Sequence, residues 1–166
     1  MSLAGITAVE HPLNELKNIS RSLLDAGIHG ICFSAYDEGQ QPGDQLTEAQ
    51  VRRKLSILKP HISWVRTFSC TEGNELIAQI AHELGIKTLV GAWLGDDLEK
   101  NEAEIAGLIT LCRQGAVDVA AVGNEVLYRE DLEVNALVNY IERVKAEVSG
   151  VPVGYVDAYY EFTDHP

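Results

Sequence analysis

Val117-Asp118-Val119-Ala120-Ala121-Val122-Gly123-Asn124-Glu125 is the stretch on which the reading of this chain turns. Its first six residues form an apolar run broken only by Asp118, the pattern of a strand covered on both faces. The run closes on Gly-Asn-Glu, and a helical pattern starts near Asp131. The segment therefore predicts a buried strand that hands a carboxylic acid to the loop at its C-terminal end. Parallel α/β proteins collect their functional groups there.

Working outward, similar apolar runs with β-branched residues lie at 30–36, 62–69, 87–93 and 151–156. Helical stripes fill the gaps. Thr47-Glu48-Ala49-Gln50 matches a capping box, and Val51, Leu55 and Leu58 follow on one face. Leu76, Ile77, Ile80, Ala81 and Leu84 form a stripe that stops at Gly85; Ile105, Leu108, Ile109 and Cys112 form one that stops near Gly115. Leu137, Val138, Ile141, Val144 and Val148 form the last, stopping at Gly150. A further helix is expected over 12–26, between Pro12 and Gly27. The whole reads as one unit over 1–166, a helical segment over 1–29 followed by five βα units over 30–166.

Repeated βα units require a parallel sheet. Two architectures suit that: an open doubly wound sheet, comfortable at 166 residues, or part of a (β/α)8 barrel, which needs about 250 for the whole. Strand-end chemistry favours the barrel. Tyr36 and Asp37, Arg66, Trp93, Asn124 and Glu125, and Asp157 place polar or aromatic groups at every strand end, whereas an open sheet concentrates them at one switch point. The loop Glu38-Gly39-Gln40-Gln41-Pro42-Gly43 has neither dinucleotide-binding nor P-loop spacing.

Composition excludes other classes. The net charge is −12 and the densest basic run is Arg52-Arg53-Lys54, so nucleic acid is not an expected partner. Cys32, Cys70 and Cys112 are too scattered for a disulfide framework or zinc knuckle and are expected as small buried hydrophobes. His82-Glu83 opens like a zinc-protease helix, but Ile86 stands where the second histidine belongs, so no metal is expected, and no cofactor. No secretory leader pattern opens the chain, Met1-Ser2-Leu3 reads as a cloning remnant, and localisation stays open.

Glu125 has two readings. It is a solvated glutamate at a helix start, or a general acid whose pKa is raised in a partly apolar cleft. The segment Val119-Ala120-Ala121-Val122-Gly123-Asn124-Glu125-Val126 resembles the acid/base motif of glycoside hydrolase family 17, the β-1,3-glucanase-like barrels. Residues 30–36 with Gly39-Gln40-Gln41-Pro42-Gly43 resemble the first strand and loop of its bacterial branch. Val65-Arg66-Thr67-Phe68 resembles its strand-two arginine motif; Gly91-Ala92-Trp93-Leu94 and Asn101-Glu102-Ala103-Glu104-Ile105 its third strand and helix; Val156-Asp157-Ala158-Tyr159-Tyr160-Glu161 the segment after strand five.

The resemblance implies a TIM-type (β/α)8 barrel, here limited to about five βα units, and a retaining hydrolase or transglycosylase acting on β-1,3-glucan. It implies Glu125 as acid/base, Asn124 on the sugar 2-hydroxyl and Arg66 orienting the nucleophile. Tyr36, Trp93, Asp157 and Tyr159 are the expected substrate contacts. The family nucleophile belongs to strand seven, beyond the five strands read here, so this polypeptide is expected to be inactive alone and to associate through unpaired sheet edges. The alternative is a non-catalytic carbohydrate-binding or regulatory α/β domain.

Overall fold

The computed structural model describes residues 11–165; Met1-Ser2-Leu3 and the start of the expected N-terminal segment lie outside the described residues. The elements run α1 Leu13–Asp25, β1 Ile28–Cys32, α2 Glu48–Leu58, β2 Ile62–Arg66, α3 Glu75–Glu83, β3 Lys87–Ala92, α4 Leu98–Arg113, β4 Val119–Asn124, α5 Val134–Glu147, β5 Val153–Val156 and α6 Glu161–Asp164. All strand pairs are parallel, and the spatial order is β1-β2-β3-β4-β5. This order decides between the two architectures. A doubly wound sheet reverses direction at a switch point. Here each βα unit adds its strand to the same growing edge, as in a barrel wall.

Helices α2 to α5 pack on one face of the sheet. Val65 lies under α2 and α3, with Val51, Leu55, Ile77 and Ile80; Val90, Ala92, Ala120 and Val122 lie under α4, with Ile105 and Leu108. Each fully buried Leu or Ile stabilises the fold by about 1.5–3 kcal/mol. The other face departs from the sequence reading, which had the strands covered on both sides. Cys32 is exposed, and Arg66, Leu89 and Val119 are only half-buried. Cys32 is thereby corrected from the buried class; Cys70 and Cys112 are buried as expected.

Strand ends also differ from the apolar runs, and helix side chains are the reason. β1 ends at Cys32 because beyond Phe33 its carbonyls are taken from the side: Gln50 Nε2 donates to Ala35 O at 2.7 Å and Lys54 Nζ to Tyr36 O. The same Gln50 forms only half of the expected capping box. Thr47 Oγ1 accepts from Gln50 N at 3.3 Å, while the Gln50 side chain turns to the β1 loop. In α5 the stripe is narrower than expected: Leu137 and Val144 are buried, whereas Val138 is exposed. The helix α1 is found where the sequence placed it.

Candidate active site

The strand C-termini open into one cleft of about 640 Å3. Tyr36, Arg66, Trp93, Asn124 and Glu125 all line it, together with Phe33, Phe68, Glu72, Asn74, Lys100 and Glu104. Five of the seven residues singled out in the sequence thus meet at one place, delivered by four different strands.

The acid is presented by a bulge. β4 pairs Ala121 with Gly154 and Asn124 with Val156, so three steps on β4 match two on β5. The extra residue kinks the strand and re-aims the side chains beyond it. Gly123 supplies the turn at φ +91°, where a Cβ would lie 2.8 Å from Val126 Cγ2 and 3.2 Å from Tyr155 Cε2. Glu125 itself is left-handed at φ +54°, a conformation that costs a non-glycine residue on the order of 1 kcal/mol. Its amide donates to Val156 O at 2.8 Å, which anchors the backbone while the side chain stays exposed at the cleft. The apolar enclosure expected around this carboxyl is not supplied by the described residues.

Asn124 is buried, and its Oδ1 accepts from Arg66 Nη2. A guanidinium can only donate. The amide oxygen must therefore face Arg66, which leaves Nδ2 free to donate to a ligand hydroxyl. Arg66 also lies 5.0 Å over the Phe68 ring centroid. The Tyr36 hydroxyl receives a bond from Asn74 Nδ2 at 3.3 Å.

Asp157 and Tyr159 stand elsewhere. Asp157 accepts from Leu127 N at 3.1 Å, from the Tyr155 hydroxyl, and from Ala158 N at 2.7 Å, so its carboxylate pins the loop after β4 to the loop after β5. Tyr159 is 83% exposed, edge-on to Tyr160, and does not line the cleft.

Three polar anchors were not singled out in the sequence. Glu104 is fully buried on α4; Oε1 accepts from Ser69 Oγ at 2.5 Å and Thr71 Oγ1 at 2.6 Å, and Oε2 from Cys70 N at 2.7 Å and Trp93 N at 3.1 Å. It thereby ends β3 and shapes the loop after β2. Asn101 pairs with both backbone groups of Gly95 at 2.8 Å. The third, Arg129, donates from Nη2 to Leu94 O at 2.8 Å and from Nη1 to Asn124 O, and its guanidinium carbon lies 4.5 Å from the Trp93 ring centroid. Asn101 and Glu104 carried a usable signal: they are polar residues one turn from Ile105 and Leu108 on an otherwise apolar helix face.

Among the cleft carboxylates, Glu72 is paired with Lys100 and Glu104 is taken up by four donors. Glu125, left-handed like Glu72, is the exposed one, and among the described residues it has no ion-pair partner. A parallel barrel wall that presents an amide and a free carboxylic acid at its C-terminal rim, with aromatic rings beside them, suits one half of a glycoside hydrolase site. The family model for the BtgE/BtgC glycoside hydrolase domain matches residues 30–166. The chain belongs to that family.

Relatives agree. The chain is 28% identical over 125 residues to the glucan 1,3-beta-glucosidase BGL2 of Candida albicans, covering 66% of this chain and 41% of that protein. It is 30% identical over 118 residues to a glucan 1,3-beta-glucosidase of Schizosaccharomyces pombe, covering 63% of this chain and 36% of the other. Among solved structures, an active-site mutant of the Rhizomucor miehei beta-1,3-glucanosyltransferase in complex with laminaritriose superposes with a TM-score of 0.69 at 30% identity, covering 83% of this chain and 52% of that one. The same enzyme's structure described as glycoside hydrolase family 17 matches equally. The chain thus spans about two fifths of these curated relatives and about half of the solved enzyme. These relatives are fungal, and none of them bears on the bacterial-branch likeness expected of residues 30–36 and 39–43.

Proposed function

We propose that this chain carries the acid/base half of a retaining glycosidase or transglycosylase site for β-1,3-glucan. The convergence of Glu125, Asn124, Arg66, Trp93 and Tyr36 in one cleft at the strand C-termini carries this reading. Glu125 protonates the glycosidic oxygen as the bond breaks. Asn124, oriented through its oxygen by Arg66, donates from Nδ2 to the sugar 2-hydroxyl. Trp93 and Tyr36 offer ring faces to the pyranoses. Arg66 stands ready to hold a second carboxylate, which in a retaining pair lies about 5–5.5 Å from the first and attacks the anomeric carbon.

Support for the substrate class comes from the relatives named for β-1,3-glucan chemistry and from the neighbour that holds laminaritriose. Neither Glu72 nor Glu104 is free to act as nucleophile, so residues 1–166 bind glucan without turning it over. Titration with laminaritriose and incubation with laminarin test both halves. Saturable binding without sugar release is expected. Absent binding removes the glucan reading, and robust laminarin hydrolysis that Glu125→Gln abolishes removes the half-site reading.

A further inference from the structure

We propose that Arg129 is a positioning residue that locks the aromatic wall of the cleft, Trp93, to the turn that carries Glu125. The inference rests on the sugar-binding reading above and extends it to a residue that does not itself line the cleft. The turn after β4 closes on itself: Arg129 N donates to Glu125 O at 2.9 Å and Asp131 N to Val126 O at 3.0 Å. The Arg129 side chain then reaches back across the start of that turn. Its Nη1 donates to Asn124 O and its Nη2 to Leu94 O at 2.8 Å, carbonyls at the ends of β4 and just past β3. Asp131 Oδ2 accepts from Nε at 2.7 Å and holds the fork in its plane. That plane lies over Trp93, with Cζ 4.5 Å from the ring centroid.

One planar cation thus joins two neighbouring strand-end loops and covers one face of Trp93. A lysine cannot reproduce this. Its single ammonium cannot serve two carbonyls and a carboxylate while also lying flat on an indole. With the lock in place, a sugar resting on Trp93 and the proton donor at position 125 keep a fixed separation. Without it, the two loops move independently, and a misplacement of about 1 Å can cost roughly a hundredfold in a reaction that depends on such alignment.

The test uses the 166-residue chain with Trp64→Phe, which leaves Trp93 as its one tryptophan. Arg129→Met, Arg129→Lys and Asp131→Asn are compared with the parent by Trp93 emission, acrylamide quenching and laminaritriose titration. Arg129→Met and Arg129→Lys are expected to red-shift the emission, raise quenching and weaken laminaritriose about tenfold, the loss of one moderate interaction. Asp131→Asn, which leaves the guanidinium but frees its fork, gives a smaller change of the same sign. Unchanged Trp93 emission and quenching in the arginine variants overturn the lock. Should Arg129→Met fail to fold, an unchanged Asp131→Asn and Arg129→Lys pair overturns it equally. A parent that does not bind laminaritriose removes the sugar-site reading instead, and the Trp93 signals still judge Arg129.

Discussion

Replacing Glu104 tests how the cleft is held together. Its two carboxylate oxygens accept four bonds, two from hydroxyls and two from backbone amides. Glu104→Gln keeps the shape. Backbone amides can only donate, so the new Oε1 must face Cys70 N and Trp93 N, and Nε2 must face Ser69 and Thr71, whose hydroxyls can rotate to accept. Every partner is still satisfied. What is lost is the charge assistance, about 1 kcal/mol per bond at most, and this is offset by no longer burying a charge. A net cost of about 1–2 kcal/mol is expected.

Glu104→Ala is different. It orphans the Cys70 and Trp93 amides, at about 1–3 kcal/mol each, and opens a cavity beside Ile105 and Leu108. The expected loss is about 3–5 kcal/mol, a large part of the 5–15 kcal/mol typical of a domain. Urea unfolding followed by circular dichroism reads both as shifts in midpoint. The clamp is refuted if alanine costs under about 1 kcal/mol, or if glutamine costs as much as alanine.

Gly123→Ala should destabilise by about 2 kcal/mol or more, since it adds a 2.8 Å clash to a left-handed backbone, whereas Gly115→Ala, at φ +75° with nothing within 4 Å, should cost about 1 kcal/mol; equal midpoint shifts in urea would count against the bulge geometry. Glu125→Gly should raise stability by about 0.5–1 kcal/mol by relieving the strained φ of +54°, read as a higher urea midpoint, while Glu125→Gln leaves it unchanged. Burial lifts the Cys112 thiol to about 11 and raises the Cys70 thiol well above its usual value. At pH 8 a disulfide reagent should therefore titrate Cys32 alone in the folded chain; rapid modification of three thiols would contradict the packing. The folded chain keeps the Cys112 proton that the unfolded chain releases, so this contribution to stability is intact below pH 9 and is lost as pH rises towards 11, measurable as a falling thermal midpoint that Cys112→Ala flattens.

The helices were legible because their apolar stripes and terminal glycines are local signals; Gly27, Gly85, Gly115 and Gly150 all take the positive φ that a helix stop needs. Strand ends were less so. The group that terminates β1 or β3 is a side chain from a helix further along the chain, Gln50 for one and Glu104 for the other, and no local pattern reveals that reach. The same holds in the site. Tyr36, Arg66, Trp93, Asn124 and Glu125 could be found because the βα period puts strand ends together, but Asp157 binds backbone rather than facing the cleft, and Arg129 acts through two carbonyls that the sequence does not mark. The sheet face that the described residues leave uncovered, with Cys32 exposed on it, was missed because an apolar run reads the same whether one face is covered or two.

The strand order has a kinetic side. Among the described residues each strand pairs only with its neighbours in sequence, so every such contact closes a loop of roughly one βα unit. The entropy of closing loops grows with their length, and parallel sheets with distant pairings fold slowly for that reason. Within residues 28–156 no strand waits for a later one to reach its place. As the chain leaves the ribosome, β2 can dock on β1, then β3 on β2, each step burying one more helix stripe. The wall of the cleft can therefore be laid down in the order it is synthesised, and the turn bearing Glu125 arrives on a surface already built to receive it.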